Sequence, residues 1–278
     1  MQNAGLAALG LNWRYLAFEV RPENLGLAIA GAKAMHFVGL NLTVPHKLLA
    51  MEMVEALDPS ARTWGAVNTI RFEGRAESGA WRPLPEFAEA PAQVRAQGFN
   101  TDAEAITRAL REDLQQELAG ASVLLLGAGG AGRAAALRLA SEGVAELFLV
   151  NRTVSKAEAI SGEINRSWPQ VKTKVGYPAK PVNLLLNATS VGLKPEDALP
   201  FDQAEFSLKR ADAVYDMIYR PAETPLIKAA KHACCRAANG LGMLLYQGAK
   251  ALELWTGQPA PIEAMRSALK QNVYGQPF

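Results

Sequence analysis

Gly127, Gly129 and Gly132 follow the apolar run Val123–Leu126 in the spacing G-x-G-x-x-G. Such a run reads as a buried parallel strand. Arg133–Ala140 has helical composition, Gly143 stops that helix, and Leu147–Val150 reads as a second strand. Strand, glycine turn, helix and strand at this spacing point to dinucleotide binding rather than to a Gly-rich structural turn. Gly127 allows a tight turn and Gly129 lets the backbone approach a pyrophosphate. Gly132 permits close helix–strand packing, and the helix N-terminus offers free N–H groups to phosphate.

Other residues able to do chemistry are more scattered. Where an NAD site usually has an acidic residue after the second strand, this chain has Asn151-Arg152-Thr153. An arginine there can grip a 2′-phosphate bidentately, which selects NADP; the alternative is a solvated surface arginine. Lys47, the last residue of NLTVPHK (residues 41–47), falls at the start of a helix after Pro45, against the preference of the helix dipole. From spacing alone it reads as a solvated loop lysine. Gln247 falls in an apolar helical stretch and needs a hydrogen-bond partner, which local reasoning takes to be structural. Cys234 and Cys235 with His232 nearby are too few ligands for a metal site. Neighbouring cysteines rarely pair with each other, so a reducing cytoplasm is expected, with no metal.

These groups need a scaffold of some size. The 278 residues suffice for two α/β domains, with 49% hydrophobic and 20% charged residues. A net charge of +2 implies no nucleic-acid partner. No apolar run approaches the ~20 residues that span a membrane. Gln2–Leu9 reads as a helix, Trp13–Val20 as a strand, Leu25–Ala34 as a helix and 35–43 as a strand, giving a separate unit ahead of the glycine motif. A helix is expected from Lys47 towards Leu57, and a turn and strand over 65–72. Glu73–Gln97 shows no period and reads as a long loop. Ala103–Leu118 reads as a helix capped by Asp102 that leads into the next domain. Ser155–Arg166 and Thr224–His232 read as helices, Val182–Leu186 and Ala213–Asp216 as strands, and a last amphipathic helix follows Gly240. Asn187, Thr189, Ser190, Asp216, Met217 and Tyr219 lie at strand carboxyl ends, where open parallel sheets bind ligands.

NLTVPHK, GAVNT, GFNTD, GAGGAGRA, NRT, NATSVG, YDMIYRPAETPL and NGLGMLLYQGAKALELWTG occur in this order. By these eight motifs the chain resembles the shikimate dehydrogenase family over nearly its whole length. The resemblance implies reversible reduction of 3-dehydroshikimate to shikimate with NADPH. It implies a substrate domain over 1–101 completed by 240–278, a Rossmann-type NADP domain over 102–239, and an active site in the cleft between them. Lys47 matches the family's catalytic lysine and Asp102 its partner. Thr43, Asn68, Tyr219 and Gln247 match residues that hold substrate hydroxyls. Gly127, Ala128, Gly129, Gly130 and Ala131, with Asn151, Arg152, Thr153 and Lys156, match NADP contacts, and Met217 and Gly240 lie near the nicotinamide. Desolvation disfavours a charged lysine while a nearby carboxylate favours it, so the acid–base role goes to Lys47 and Asp102 jointly. A cytoplasmic monomer or homodimer acting on a small molecule is expected.

Three departures from the family stand out. The 73–97 stretch is longer than usual, and Ala103 replaces a common glycine. Family members also open with a strand and a Ser-x-Ser motif for the substrate carboxylate, ahead of the segment matching Met1-Gln2-Asn3. The expectation is that translation begins upstream of Met1, and that a chain starting there binds NADPH but reduces substrate poorly. Alternative readings are a dehydrogenase of dual quinate and shikimate specificity, or a non-catalytic regulatory binding protein. Arg152 argues against NAD-preferring forms, and retention of Lys47, Asp102, Asn68 and Gln247 argues against a non-enzyme.

Overall fold

The computed structural model describes residues 1–275. Two compact units divide the chain: Met1–Asp102 with Gln247–Phe278, and Ala103–Tyr246. Residues 240–246 therefore belong with the second unit, and Asp102 with the first.

The first unit runs α1 (Gln2–Ala8), α2 (Leu25–Ala34), β1 (Gly39–Asn41), α3 (His46–Leu49), β2 (Ala56–Leu57), α4 (Pro59–Trp64), β3 (Thr69–Arg75), β4 (Trp81–Pro83) and β5 (Val94–Phe99). Its sheet has the order β1-β3-β5-β2, with β4 also on β3. β3 is antiparallel to β1, β4 and β5, and β2 runs parallel to β5. Leu25, Ile29 and Ala32 lie on one helical face and pack on Val67, Ile70, Phe72 and Ala96. α4 exists because Asp58 accepts from Ser60 N at 2.9 Å ahead of Pro59, and Gly65 ends it at φ 64°.

Several expected elements are corrected here. Trp13–Val20 forms no strand; Leu16 and Phe18 are each 64% exposed. Its backbone is held by a side chain instead, with Tyr15 N donating to Asn3 Oδ1 at 2.7 Å and Asn3 Nδ2 donating to Tyr15 O at 2.9 Å. The strand over 35–43 shrinks to Gly39–Asn41. The helix from Lys47 to Leu57 stops at Leu49, passes through a 3-10 turn, and becomes β2. Glu55 is drawn to the sheet: its backbone N–H donates to Ala96 O at 3.1 Å, and its carboxylate accepts from Ala96 N at 2.6 Å.

The largest correction is Glu73–Gln97, which is not a loop but the end of β3, β4, a 3-10 turn and the start of β5. Its charges hid the strand period because they pair across the sheet. Glu73, 3% exposed in its side chain, accepts from Arg71 at 2.5 Å and from Arg95 at 2.7 Å. Arg95 also lies over the Trp81 ring at 4.6 Å. Removing one partner of a buried pair strands the remaining charges, though both arginines here keep some exposure. Glu73→Ala should therefore cost about 3 kcal/mol, read as a lowered denaturation midpoint with an unchanged slope.

α5 (Asp102–Leu114) starts on the last residue of the first unit and ends four residues short of Leu118, where Gln115 turns to φ 50°. The second unit continues with β6 (Ser122–Leu126), α6 (Gly130–Ser141), β7 (Glu146–Val150), α7 (Val154–Ser167), β8 (Lys172–Val175), β9 (Val182–Asn187), β10 (Ala211–Asp216), α8 (Pro225–His232), β11 (Arg236–Asn239) and the first part of α9 (Leu241–Thr256). α10 (Ile262–Tyr274) returns to the first unit, burying Met265 and Leu269. The second sheet is parallel throughout, in the order β11-β10-β9-β6-β7-β8. The chain moves outward from β6 to β8 and returns at β9. The reversal between β6 and β9 is the point at which such sheets bind ligands.

Candidate active site

In the first unit, Lys47 sits in α3, tied to the approach to β3 by a hydrogen bond from Val67 N to Lys47 O at 2.9 Å. Lys47 Nζ donates to Asp102 Oδ2 at 2.7 Å, with side-chain exposures of 28% and 20%. Asp102 is thus the first helical residue of α5, its carboxylate turned to the lysine instead of standing ahead of the helix as a cap. A half-exposed ammonium–carboxylate pair can hold and hand over a proton while staying reachable by a ligand.

Asn68 is next to this pair and buried. Its Oδ1 accepts from Thr101 N at 2.8 Å, and its Nδ2 donates to Thr101 Oγ1 at 3.0 Å. Asn41 Nδ2 donates to Thr69 Oγ1 at 3.0 Å, and Tyr15 OH donates to Asn41 Oδ1 at 3.1 Å. Burial raises the Tyr15 hydroxyl above its ordinary pKa, so it stays a donor. Thr43 is exposed, its carbonyl accepting from His46 N at 2.8 Å. Gln247 is half-buried on α9. Thr43, Lys47, Asn68, Asp102 and Gln247 all belong to the first unit, whereas Tyr219, 39% exposed after β10, belongs to the second. Thr101, Thr69 and Asn41 were not singled out from the sequence. The available signal was polar residues inside the strand-end motifs GFNTD, GAVNT and NLTVPHK.

In the second unit, the glycine turn leaves β6 at the switch point. A Cβ on Gly127, at φ 102°, would lie 2.9 Å from Ala188 O, and one on Gly132 would lie 2.1 Å from Gly127 O. Both positions therefore require glycine for local reasons. Gly129 differs: its backbone is extended and a Cβ there would meet nothing. Neither conformation nor packing explains that glycine, whereas close approach of a phosphate would. α6 starts there without a side-chain cap or an acidic first turn, leaving its N–H groups for an anion.

Asn151 Oδ1 accepts from Ala128 N at 3.0 Å, and Asn151 Nδ2 donates to Thr153 O at 2.8 Å. Asn151 thus braces the glycine turn against the end of β7. Arg152 and Lys156 are exposed, and their side chains carry no hydrogen bond or ion pair among the described residues. Two free cations beyond β7, beside an uncapped helix start, fit a dinucleotide with an additional phosphate. Gly240 lies against Met217, where a Cβ would come within 2.1 Å of Met217 O. The Met217 turn is fixed by Asp216, which accepts from Asn187 Nδ2 at 3.0 Å, Ile218 N at 3.1 Å and Thr224 Oγ1 at 2.6 Å. Burial raises the Asp216 carboxyl above its ordinary pKa, against the opposing pull of those hydrogen bonds.

A Rossmann-type unit with a glycine turn, joined in one chain to an α/β unit bearing an ion-paired lysine, fits the class of dinucleotide-dependent dehydrogenases. Within that class the comparisons agree. Residues 1–70 match the shikimate dehydrogenase substrate binding domain, 109–177 match shikimate / quinate 5-dehydrogenase, and 240–270 match the shikimate 5'-dehydrogenase C-terminal domain. The shikimate dehydrogenase (NADP(+)) of Methanopyrus kandleri is 40% identical over 98% of this chain and 90% of its own. A crystal structure of shikimate dehydrogenase in complex with NADP+ superposes with a TM-score of 0.79 at 34% identity, covering 98% of this chain and 89% of the other. The 5-ketofructose reductase of Gluconobacter sp. strain CHM43 gives the same TM-score at 32% identity, covering 98% and 92%. The chain belongs to the shikimate dehydrogenase family. Among the described residues no helix is long and apolar enough to cross a membrane, and no group of three or more His, Cys, Asp or Glu could hold a metal.

Proposed function

We propose that the native protein to which this chain belongs catalyses the reversible reduction of 3-dehydroshikimate to shikimate with NADPH. The observation that carries the reading is the Lys47–Asp102 pair at 2.7 Å, beside a buried asparagine, in a unit whose first 70 residues match the family's substrate domain. NADPH, when bound, supplies the hydride. Gly127, Ala128, Gly129, Gly130 and Ala131 hold its pyrophosphate, Arg152 and Lys156 its 2′-phosphate, and Asn151 and Thr153 shape that end of the site. Met217 and Gly240 border the nicotinamide.

Thr43, Asn68, Tyr219 and Gln247 hold the hydroxyls of the substrate, orienting the carbon that changes hybridisation. As its carbonyl gains hydride, the oxygen takes up a proton. Lys47 delivers that proton and Asp102 holds the lysine in place; in the reverse direction the pair removes it. The reaction runs in the cytoplasm, on a monomer or homodimer.

The likeness to 5-ketofructose reductase favours a specific second reading, in which another polyhydroxylated ketone is the substrate. The test is to offer 3-dehydroshikimate, 3-dehydroquinate and 5-ketofructose separately to the native protein and follow NADPH absorbance. The proposal expects kcat/KM for 3-dehydroshikimate to exceed the others by at least ~10²-fold, since a site built for particular hydroxyls rejects analogues that leave its polar groups unpaired. A higher value for either competitor would reassign the substrate.

A further inference from the structure

Asn68 is among the most buried polar residues, 1% exposed, and its surroundings fix which way its amide faces. The backbone N–H of Thr101 can only donate, so the side-chain atom 2.8 Å from it must be the amide oxygen. That oxygen also accepts from Thr69 Oγ1 at 3.3 Å. The nitrogen gives one N–H to Thr101 Oγ1 at 3.0 Å. Its second N–H has no protein partner among the described residues. A buried N–H left unpaired is rare.

We infer that Thr101 is a positioning residue for the reaction. Its backbone N–H and its hydroxyl lock the Asn68 amide so that only one N–H is offered to the substrate. Asn68 then serves as a donor alone, and the group it meets must present an oxygen lone pair. A substrate hydroxyl held this way keeps its own proton free to donate elsewhere. Thr69 and Asn41 extend the brace to β1, with Asn41 Nδ2 also reaching Asn68 O at 3.3 Å. This inference rests on the proposed role of Asn68 in binding substrate, and goes beyond it by naming the residue that sets the direction of that contact.

The test is a double-mutant cycle on Asn68→Ala and Thr101→Val, with Thr101→Ser as the conservative control. Valine keeps the shape and the backbone N–H but removes the hydroxyl. Thr101→Val should lower kcat/KM for 3-dehydroshikimate about tenfold, chiefly through KM, while leaving NADPH affinity at the parent value. Thr101→Ser should restore most of the loss. In the Asn68→Ala background, Thr101→Val should cost nothing further, because the group it positions is gone. Equal losses in both backgrounds, or a fall in NADPH affinity, would overturn the inference and make Thr101 a merely structural residue. If Asn68→Ala itself has no effect, the substrate-binding role of Asn68 fails instead. Should Thr101→Val not fold, the parent protein with 15N-labelled asparagine decides. One Asn68 side-chain proton should resist exchange in the free protein, and the other should shift when shikimate and NADP+ are added. Two freely exchanging protons would contradict the lock.

Discussion

Replacing Lys47 with alanine should lower turnover of 3-dehydroshikimate by ~10²–10⁴-fold, the range for loss of a general acid–base group. NADPH affinity should stay at the parent value, because every residue assigned to the cofactor lies elsewhere in the chain. Stability should fall by no more than about 1 kcal/mol, since the ion pair that is lost is partly exposed. Steady-state kinetics, NADPH fluorescence titration and a thermal melt check the three parts. The informative control is Asp102→Asn. If Lys47→Ala keeps turnover within about threefold of the parent while Asp102→Asn abolishes it, the proton belongs to the aspartate and the lysine only supports it.

The second large effect concerns the cofactor. Arg152→Asp should lower kcat/KM for NADP by roughly 10- to 150-fold, the equivalent of ~1.5–3 kcal/mol for a charge-assisted contact. It should leave kcat/KM for NAD unchanged or higher, because an acidic residue there can take the ribose hydroxyls. The arginine is exposed and unpaired among the described residues, so its replacement should shift stability by no more than ~0.5 kcal/mol. An unchanged NADP/NAD ratio would hand the 2′-phosphate to Lys156 alone.

The two units were unequally legible in the sequence. The second is a parallel sheet whose inner strands β6, β9 and β10 are largely buried, so Val123–Leu126, Val182–Leu186 and Ala213–Asp216, like Leu147–Val150 beside them, appear as short mainly apolar runs. β8 and β11 escaped because Lys172–Val175 and Arg236–Asn239 lie at the sheet's edges and mix charged or polar residues with small ones. In the first unit, antiparallel pairing lets charges sit within strands. Arg71, Glu73 and Arg95 form ion pairs within β3 and across to β5, and no single-strand period could reveal that. Trp13–Val20 failed for the opposite reason: its composition suits a strand, but a strand needs a neighbour to take its N–H and C=O groups.

The site shows the same limit. The glycine turn is legible in its spacing, and the fold supplies local reasons for glycine at Gly127 and Gly132. Lys47 and Asp102 are 55 residues apart in the chain, and only the fold reveals that their side chains meet at 2.7 Å. Thr101 lies in GFNTD, and its contact with the Asn68 amide 33 residues away is equally invisible in the chain.

The proposed reaction rests on hydride transfer between NADPH and the ring carbon that becomes carbinol in shikimate. The direct measurement supplies the native protein with 3-dehydroshikimate and NADPH deuterated at the transferring position of the nicotinamide, and analyses the product by mass and NMR spectroscopy. Hydride transfer yields shikimate carrying one deuterium on the carbon bearing the 3-hydroxyl, with NADP formed in equal amount. Absence of deuterium from that carbon, or a reduced product other than shikimate, would contradict it.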